Sequence, residues 1–310
     1  MKLIFMGTPE FAVPSLERLV NSNHKVLGLV TGPDKPVGRG QKVIATPIKR
    51  FAIEQGLTVL TPKRLKDENF IAELKQFNAD IFVVVAFRIL PEAVFTIPPK
   101  GTINLHGSLL PKYRGAAPIN WAIINGETET GLTTFFIEKK VDTGEIILQH
   151  KISIGPEETA GELHDKMCEI GAEFLLQSVN LIEQGTAPRI KQAGEITLAP
   201  KLTKETCRID WTRDAISIYN LVRGLSPFPR AFTCYKGKEL KVCCATIEQE
   251  TTESHAKSGQ IIDVDKKGKI FVATGNGVVS IIELQPESKR RMTTAEFLRG
   301  HKIELGEILV

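Results

Sequence analysis

The residues best suited to chemistry fall in one run, Asn104-Leu105-His106-Gly107-Ser108-Leu109-Leu110-Pro111-Lys112-Tyr113-Arg114-Gly115-Ala116-Ala117-Pro118. The run begins on a predicted strand, Thr102–His106, where residues two apart face the same side, so Asn104 and His106 address one site together. A neutral Asn can donate a hydrogen bond to an acyl oxygen, and a His can hold a developing oxyanion or move a proton near neutral pH. The pair is equipped to handle a carbonyl. A third candidate is Asp142, in the turn-rich stretch Val141-Asp142-Thr143-Gly144 after a predicted strand over Thr130–Ile137; a carboxylate there can fix a histidine's ionisation and orient a water. Each piece also has a plain structural reading. Asn and His at a strand end can be incidental, Asp-Thr-Gly is a common turn with the Asp as its cap, and Gly107 and Gly115-Ala116-Ala117 can simply turn the backbone before a helix at Pro118.

These residues need a scaffold, and the first 110 residues supply one by alternating short β-rich runs with amphipathic helical patterns, the sequence form of a parallel sheet flanked by helices. Strands are predicted over Lys2–Met6, Lys25–Thr31, Leu57–Leu60, Ile81–Val85 and Thr102–His106. Ile81-Phe82-Val83-Val84-Val85 is apolar on both faces, as a central parallel strand must be. Asp67 can cap a helix whose Phe70, Ile71, Leu74 and Phe77 share one face, and Gly56 sits where a preceding helix should stop. Thr159 can cap a long helix that ends near Gly185. Ligands of open α/β sheets bind outside the carboxyl ends of the strands, which is where Asn104 and His106 lie.

Residues 186–203 carry Pro188, Gly194 and Pro200 among polar residues without a sustained period and read as a linker. After it come a helical pattern over Asp214–Gly224 and short alternating runs at Ala231–Tyr235, Lys238–Ile247, Gln260–Val264, Ile270–Ala273 and Gly277–Leu284, separated by turn signals such as Lys236-Gly237. This half reads as a small β-barrel. The expected organisation is a domain over 1–185, the linker, and a second domain over 204–310. The chain has 310 residues, 42% hydrophobic and 25% charged, with no run near the roughly 18 apolar residues of a membrane span. Its five cysteines form no C-x-x-C pair, so neither a disulfide framework nor a zinc ribbon is expected, and the cytoplasm is the expected compartment. A net charge of +4 and a pI near 8.7 neither require a nucleic-acid partner nor exclude one.

Together, Asn104-x-His106, the Ser108-Leu109-Leu110-Pro111 run and Asp142-Thr143-Gly144 resemble the folate-dependent formyltransferase family. The resemblance implies a Rossmann-like open parallel sheet domain followed by a small OB-like barrel, with 10-formyltetrahydrofolate as formyl donor and no metal. It also implies roles. Asn104 and His106 hold the oxygen of a tetrahedral intermediate, and Asp142 supports His106 and an ordered water that shuttles the proton. Aimed donors of this kind contribute roughly 10²–10³ in rate each, and general acid–base help about 10²–10⁴. Folate contacts fall on Ser108, Leu109, Leu110 and Pro111 and on Phe87, Arg88 and Leu90; the last three lie where the chain reads Val85-Ala86-Phe87-Arg88-Ile89-Leu90-Pro91 in place of the family's Tyr-Gly pair.

Members of that family formylate different amines, and three features resemble the branch that acts on initiator methionyl-tRNA: Phe5-Met6-Gly7-Thr8-Pro9-Glu10-Phe11-Ala12, Tyr113-Arg114-Gly115-Ala116-Ala117-Pro118-Ile119, and Lys201-Leu202-Thr203-Lys204-Glu205 followed by Ile209-Asp210-Trp211. A partner tRNA gives a use to the stretch 32–42, too rich in Gly and Pro for helix or sheet, whose Lys35, Arg39 and Lys42 can meet phosphates. Lys236, Lys238 and Lys241 offer a further RNA surface on the second domain. The enzyme is expected to act as a monomer. The competing readings are a formyltransferase for a sugar-nucleotide or ribonucleotide amine and a non-catalytic RNA-binding protein. A nicotinamide-dependent dehydrogenase fits poorly, because Gly7-Thr8-Pro9 lacks the further glycines of a pyrophosphate-binding turn.

Overall fold

Every residue of the apolar run Ile81–Val85 is buried, and the sheet is built outward from it. In a computed structural model the described residues are 1–37, 42–251 and 256–310, with 35–37 and 42–44 described as backbone only. Along the chain the strands are β1 (Lys2–Gly7), β2 (Lys25–Val30), β3 (Lys35–Val37), β4 (Lys42–Ile44), β5 (Thr58–Leu60), β6 (Ile81–Val85), β7 (Thr102–His106), β8 (Arg114–Gly115), β9 (Glu129–Phe136), β10 (Ile146–Ser153) and β11 (Leu198–Ala199). The helices among them are α1 (Val13–Val20), α2 (Pro47–Glu54), α3 (Glu68–Gln76), α4 (Glu92–Phe95), α5 (Pro118–Ile124) and α6 (Ala160–Gln184). The described chain divides into two compact units: residues Met1–Pro118, Thr130–Ile152 and His164–Ala199 in one, and Ile119–Glu129, Ser153–Leu163 and Pro200–Val310 in the other.

The main sheet has seven strands in the order β10-β9-β7-β6-β1-β2-β5. Strands β5, β2, β1, β6 and β7 are parallel, and the order reverses direction between β1 and β6, the place where such sheets bind ligands. Strand β9 runs antiparallel to β7, and β10 lies beside it. The expectation of an open parallel sheet therefore holds for five strands, and two more extend it into a mixed sheet. Ile146–Ser153 gives no strand signal because its exposed centre, Gln149-His150-Lys151, breaks the alternation.

One side of the sheet is covered by a core in which Ile4 and Met6 of β1 and Phe82 and Val84 of β6 meet Phe70 and Leu74 of α3. Each such side chain contributes about 1.5–3 kcal/mol on burial. Local signals place the helices. Asp67 accepts from the N–H groups of Asn69 and Phe70 at the start of α3. Thr159 and Glu162 exchange side-chain and backbone hydrogen bonds at the start of α6, and Gly185 ends that helix at φ +71°. The stretch 32–42 is only partly irregular: β3 and β4 pair antiparallel, Lys35 opposite Ile44. Val37, Val43 and Ile44 suit strands, and Pro36, which lacks an N–H, suits an edge strand.

In the second unit β12 (Ala231–Tyr235), β13 (Lys238–Gln249), β14 (Ile261–Val264), β15 (Ile270–Ala273), β16 (Val278–Pro286) and β17 (Met292–Thr293) form an antiparallel sheet in the order β12-β13-β16-β15-β14, with β17 on β16. Lys236 and Gly237, at φ +49° and +76°, make the tight turn between β12 and β13. The tail hydrogen-bonds to both edges of the sheet: the Ile261 N–H of β14 donates to the Glu307 carbonyl, and Val310 exchanges two bonds with Cys234 of β12, so residues 307–310 bridge the two edge strands. Helices α7 (Lys204–Cys207), α8 (Ala215–Gly224) and α9 (Thr294–Leu298) belong to the unit, as do most of α5 and the first turn of α6. Ile218, Leu221 and Val222 of α8 join Trp211, Val242 and Ile281 in its core, where the Trp211 indole donates to Thr233 Oγ1 at 3.0 Å. Among the described residues no helix is long and apolar enough to cross a membrane.

Candidate active site

Asn104 and His106 occupy the carboxyl-terminal half of β7, Asn104 opposite Val84 of β6 and Phe135 of β9, and His106 opposite Thr133. His106 is buried, its ring in a T-shaped contact with Phe135 at 6.5 Å between centroids. Its Nε2 lies 2.9 Å from the Tyr113 carbonyl oxygen. A carbonyl can only accept, so Nε2 carries the proton and Nδ1 is the nitrogen left for chemistry.

Nδ1 faces Asp142 Oδ2 at 3.9 Å, too long for a direct hydrogen bond and close enough for strong attraction once the ring is charged. Asp142 lies in the loop between β9 and β10, with its backbone at φ +53°. Its Oδ2 accepts the Gly115 N–H at 2.8 Å. Gly115 is on β8, which pairs in parallel with β11, and a Cβ at this position would stand 2.5 Å from the Ala199 carbonyl oxygen. Only glycine allows that approach. Gly144 is constrained likewise: a Cβ there would lie 1.6 Å from the Phe136 carbonyl oxygen, so the Asp-Thr-Gly turn packs flat on the end of β9.

The run after His106 is held by side chains of the next two strands. Thr133 Oγ1 donates to the Ser108 carbonyl at 2.6 Å and accepts from the Leu110 N–H at 3.1 Å. Gln149 Nε2 donates to the Leu110 carbonyl at 2.8 Å, and Ser108 Oγ donates to the Lys112 carbonyl at 2.6 Å. Ser108, Leu110 and Pro111 are buried and Leu109 is half-buried. Phe87, Arg88 and Leu90 lie on the loop after β6, the strand next to β7. Leu90 belongs to the core and Phe87 packs against it. Arg88 donates to the carbonyls of Pro62 and Lys63 at 2.9 and 3.3 Å, and burial holds its guanidinium below its ordinary pKa. The side chains of these residues thus fix the loop. Arg39 lies outside the described residues; the backbones of Lys35 and Lys42 are in β3 and β4.

The sequence reading passes over Thr133, Gln149, Thr197 and Gln192. Thr197 accepts the Tyr113 N–H on Oγ1 and the Arg114 N–H on its carbonyl, which secures the oxygen that His106 uses. No local pattern marks any of the four, because their partners are remote in sequence. Burial pushes the Cys168 thiol up to about 12 and raises Cys207, Cys243 and Cys244, so these sulfurs stay protonated and unreactive near neutral pH. Among the described residues no three His, Cys, Asp or Glu side chains are grouped to hold a metal ion. The site as built can donate a hydrogen bond to a carbonyl oxygen and move a proton beside it.

Residues 1–179 match the formyl transferase family and residues 201–302 match its C-terminal domain. A methionyl-tRNA formyltransferase of Alkaliphilus oremlandii (strain OhILAs) is 48% identical over 311 residues, covering 100% of this chain and 99% of that protein. One from Clostridioides difficile (strain 630) is 47% identical over 311 residues, covering 100% of both. Among solved structures, HypX from Aquifex aeolicus in complex with tetrahydrofolic acid is similar at a TM-score of 0.64 and 18% identity, over 99% of this chain and 50% of that one. This chain spans half of HypX, and the likeness at that identity is one of fold.

Proposed function

The chain belongs to the formyl transferase family, and from that membership we propose that it transfers a formyl group from 10-formyltetrahydrofolate to the α-amino group of initiator methionyl-tRNA. The observation that carries the reading is His106 Nδ1 turned toward Asp142 Oδ2, at the end of the strand that also bears Asn104. The tetrahydrofolic acid bound to HypX is the product such a donor leaves behind.

The amino nitrogen attacks the formyl carbon, and Asn104 donates to the oxygen on which negative charge develops. His106 cannot use Nε2, which is spent on Tyr113. Its Nδ1 lone pair takes the proton shed by the attacking amine; as Nδ1–H it then donates to the oxygen and returns the proton to N10 as the old C–N bond breaks. Asp142 stabilises the imidazolium in between, and its bond to Gly115 keeps it in place. The backbone of 108–111 and of the loop after β6 receives the folate.

The tRNA is bound by the 204–310 domain and by Lys35, Arg39 and Lys42. On that domain Lys236 is already paired with Glu307 at 2.7 Å, so phosphate contacts fall to Lys238 and Lys241. The protein works in the cytoplasm as a monomer. The test is turnover of His106→Ala with charged initiator tRNA, beside circular dichroism of the same sample. Loss of turnover in a folded protein is expected, and near-normal turnover would overturn the reading.

A further inference from the structure

We propose that Gln192 is a positioning residue for the transfer, one that sets Asp142 against His106 and ties that setting to Arg114; the inference rests on the functional reading above. Asp142 sits at φ +53°, a left-handed conformation uncommon among side-chain-bearing residues, though Asp adopts it more readily than most. Gly115 restrains its carboxylate, and Gln192 restrains its backbone. Gln192 Nε2 donates to the Asp142 carbonyl at 3.0 Å and to the Gly144 carbonyl at 2.9 Å, gripping the turn on either side of Thr143. Its Oε1 accepts from Arg114 Nη2 at 2.6 Å and Arg114 Nε at 3.2 Å.

The orientation of the amide follows from its partners. Two carbonyls can only accept and a guanidinium can only donate, so nitrogen must face the turn and oxygen must face Arg114. Both amide hydrogens and both lone pairs of the oxygen are then used. No other natural side chain of this length offers two donors on one atom and a two-lone-pair acceptor on its neighbour. Gln192 is itself held by its backbone surroundings: Ile190 exchanges two hydrogen bonds with Ile146 at the start of β10, and β11 pairs with β8 a few residues later. The stretch 190–199 is thus a strap across the strand ends. Because β8 carries both Gly115, which holds the Asp142 carboxylate, and Arg114, which holds Gln192, displacement of Arg114 reaches Asp142 from two directions.

Four full-length variants test this: Gln192→Met, which keeps the length without the polar atoms; Gln192→Glu, which keeps an acceptor for Arg114 and loses both donors; Asp142→Asn; and the double variant Asp142→Asn with Gln192→Met. Gln192→Met is expected to lower kcat about 10- to 100-fold with KM for the formyl donor within about twofold, and Gln192→Glu should not rescue it. In the Asp142→Asn background Gln192→Met should change kcat by less than about twofold, since a residue that acts through another has nothing left to position. Losses that multiply in the double variant, rescue by Gln192→Glu, or normal kcat in Gln192→Met beside a crippled Asp142→Asn would each overturn the proposal and leave the functional reading standing. Normal turnover in Asp142→Asn alone would also overturn the proposal, since Gln192 would have nothing to position, whereas absence of formyl transfer by the parent protein would sink the functional reading itself.

Discussion

Replacing Asp142 by Asn removes charge from the site while leaving its shape. Asn tolerates the φ of +53° as Asp does, and its amide oxygen can still accept the Gly115 N–H that now lies 2.8 Å from Oδ2. What disappears is a negative charge 3.9 Å from His106 Nδ1. At that separation, with an effective dielectric of about 20, the charge stabilises an imidazolium by about 4 kcal/mol. The two side chains are only 6% and 11% exposed, so salt and solvent screen the pair weakly. If the whole amount were felt in the transition state, turnover would fall by about three powers of ten; partial proton transfer at the transition state brings the expected loss to about 10²–10³. The assay is single-turnover formylation of charged initiator tRNA with 10-formyltetrahydrofolate in excess, followed by acid quench and product mass. A thermal melt on the same preparation should show a change in Tm of no more than about 2 °C, as expected of a near-isosteric exchange away from the core. Turnover within about threefold of the parent, in protein that melts normally, would refute the claim that Asp142 acts through its charge.

Three further outcomes are expected. Gly144→Ala puts a methyl group where the Phe136 carbonyl stands, so the Asp142 turn must move; kcat should drop by at least about 10² while a thermal melt shows the main sheet intact, and unaltered kcat would refute the packing argument. Asp214 caps α8, and its bond from the Ser217 N–H, 2.6 Å long, is the chief reason its carboxyl is held below the ordinary range. Because the folded-state pKa is depressed, the stabilisation is present above the unfolded value of about 3.9 and is lost as pH falls through the folded value. Asp214→Ala should therefore cost about 1 kcal/mol at neutral pH, measured by denaturant melts, and the gap should close in strong acid; a gap independent of pH would contradict the assignment. Arg39→Ala should lower tRNA affinity more than folate binding and make the salt dependence of tRNA binding shallower by about one counterion; an unchanged salt slope would remove Arg39 from the RNA contact.

What the sequence discloses of this molecule is what short-range physics decides. Ile81–Val85 is legible because a strand buried on both faces leaves no polar position, and Asp67 and Thr159 are legible because a helix start needs an oxygen for its unpaired N–H groups. The second unit's strands are legible from alternation and from Lys236-Gly237, whose positive φ values a hairpin turn requires. β10 is hidden because its exposed polar centre carries no period, and β8 and β11 are hidden because two residues are too few to show one. The type and spacing of Asn104 and His106 mark a strand end equipped for a carbonyl. The same spacing is silent on Tyr113, Thr133 and Gln192, whose contacts are made across the fold and leave no trace in the neighbouring residues. Nor can it disclose that the Tyr113 carbonyl takes His106 Nε2 while Nδ1 faces Asp142.

The most direct test of the account is to incubate the protein with 10-formyltetrahydrofolate and, in parallel, charged initiator methionyl-tRNA, a sugar-nucleotide amine and a ribonucleotide amine, and to weigh the products. The expected product is one added formyl group on the amino nitrogen of the tRNA-bound methionine, formed at a rate that collapses in His106→Ala, with the other two amines left unmodified. Formyl transfer to either of those amines in preference to the tRNA, or transfer to the tRNA that persists without His106, would contradict it.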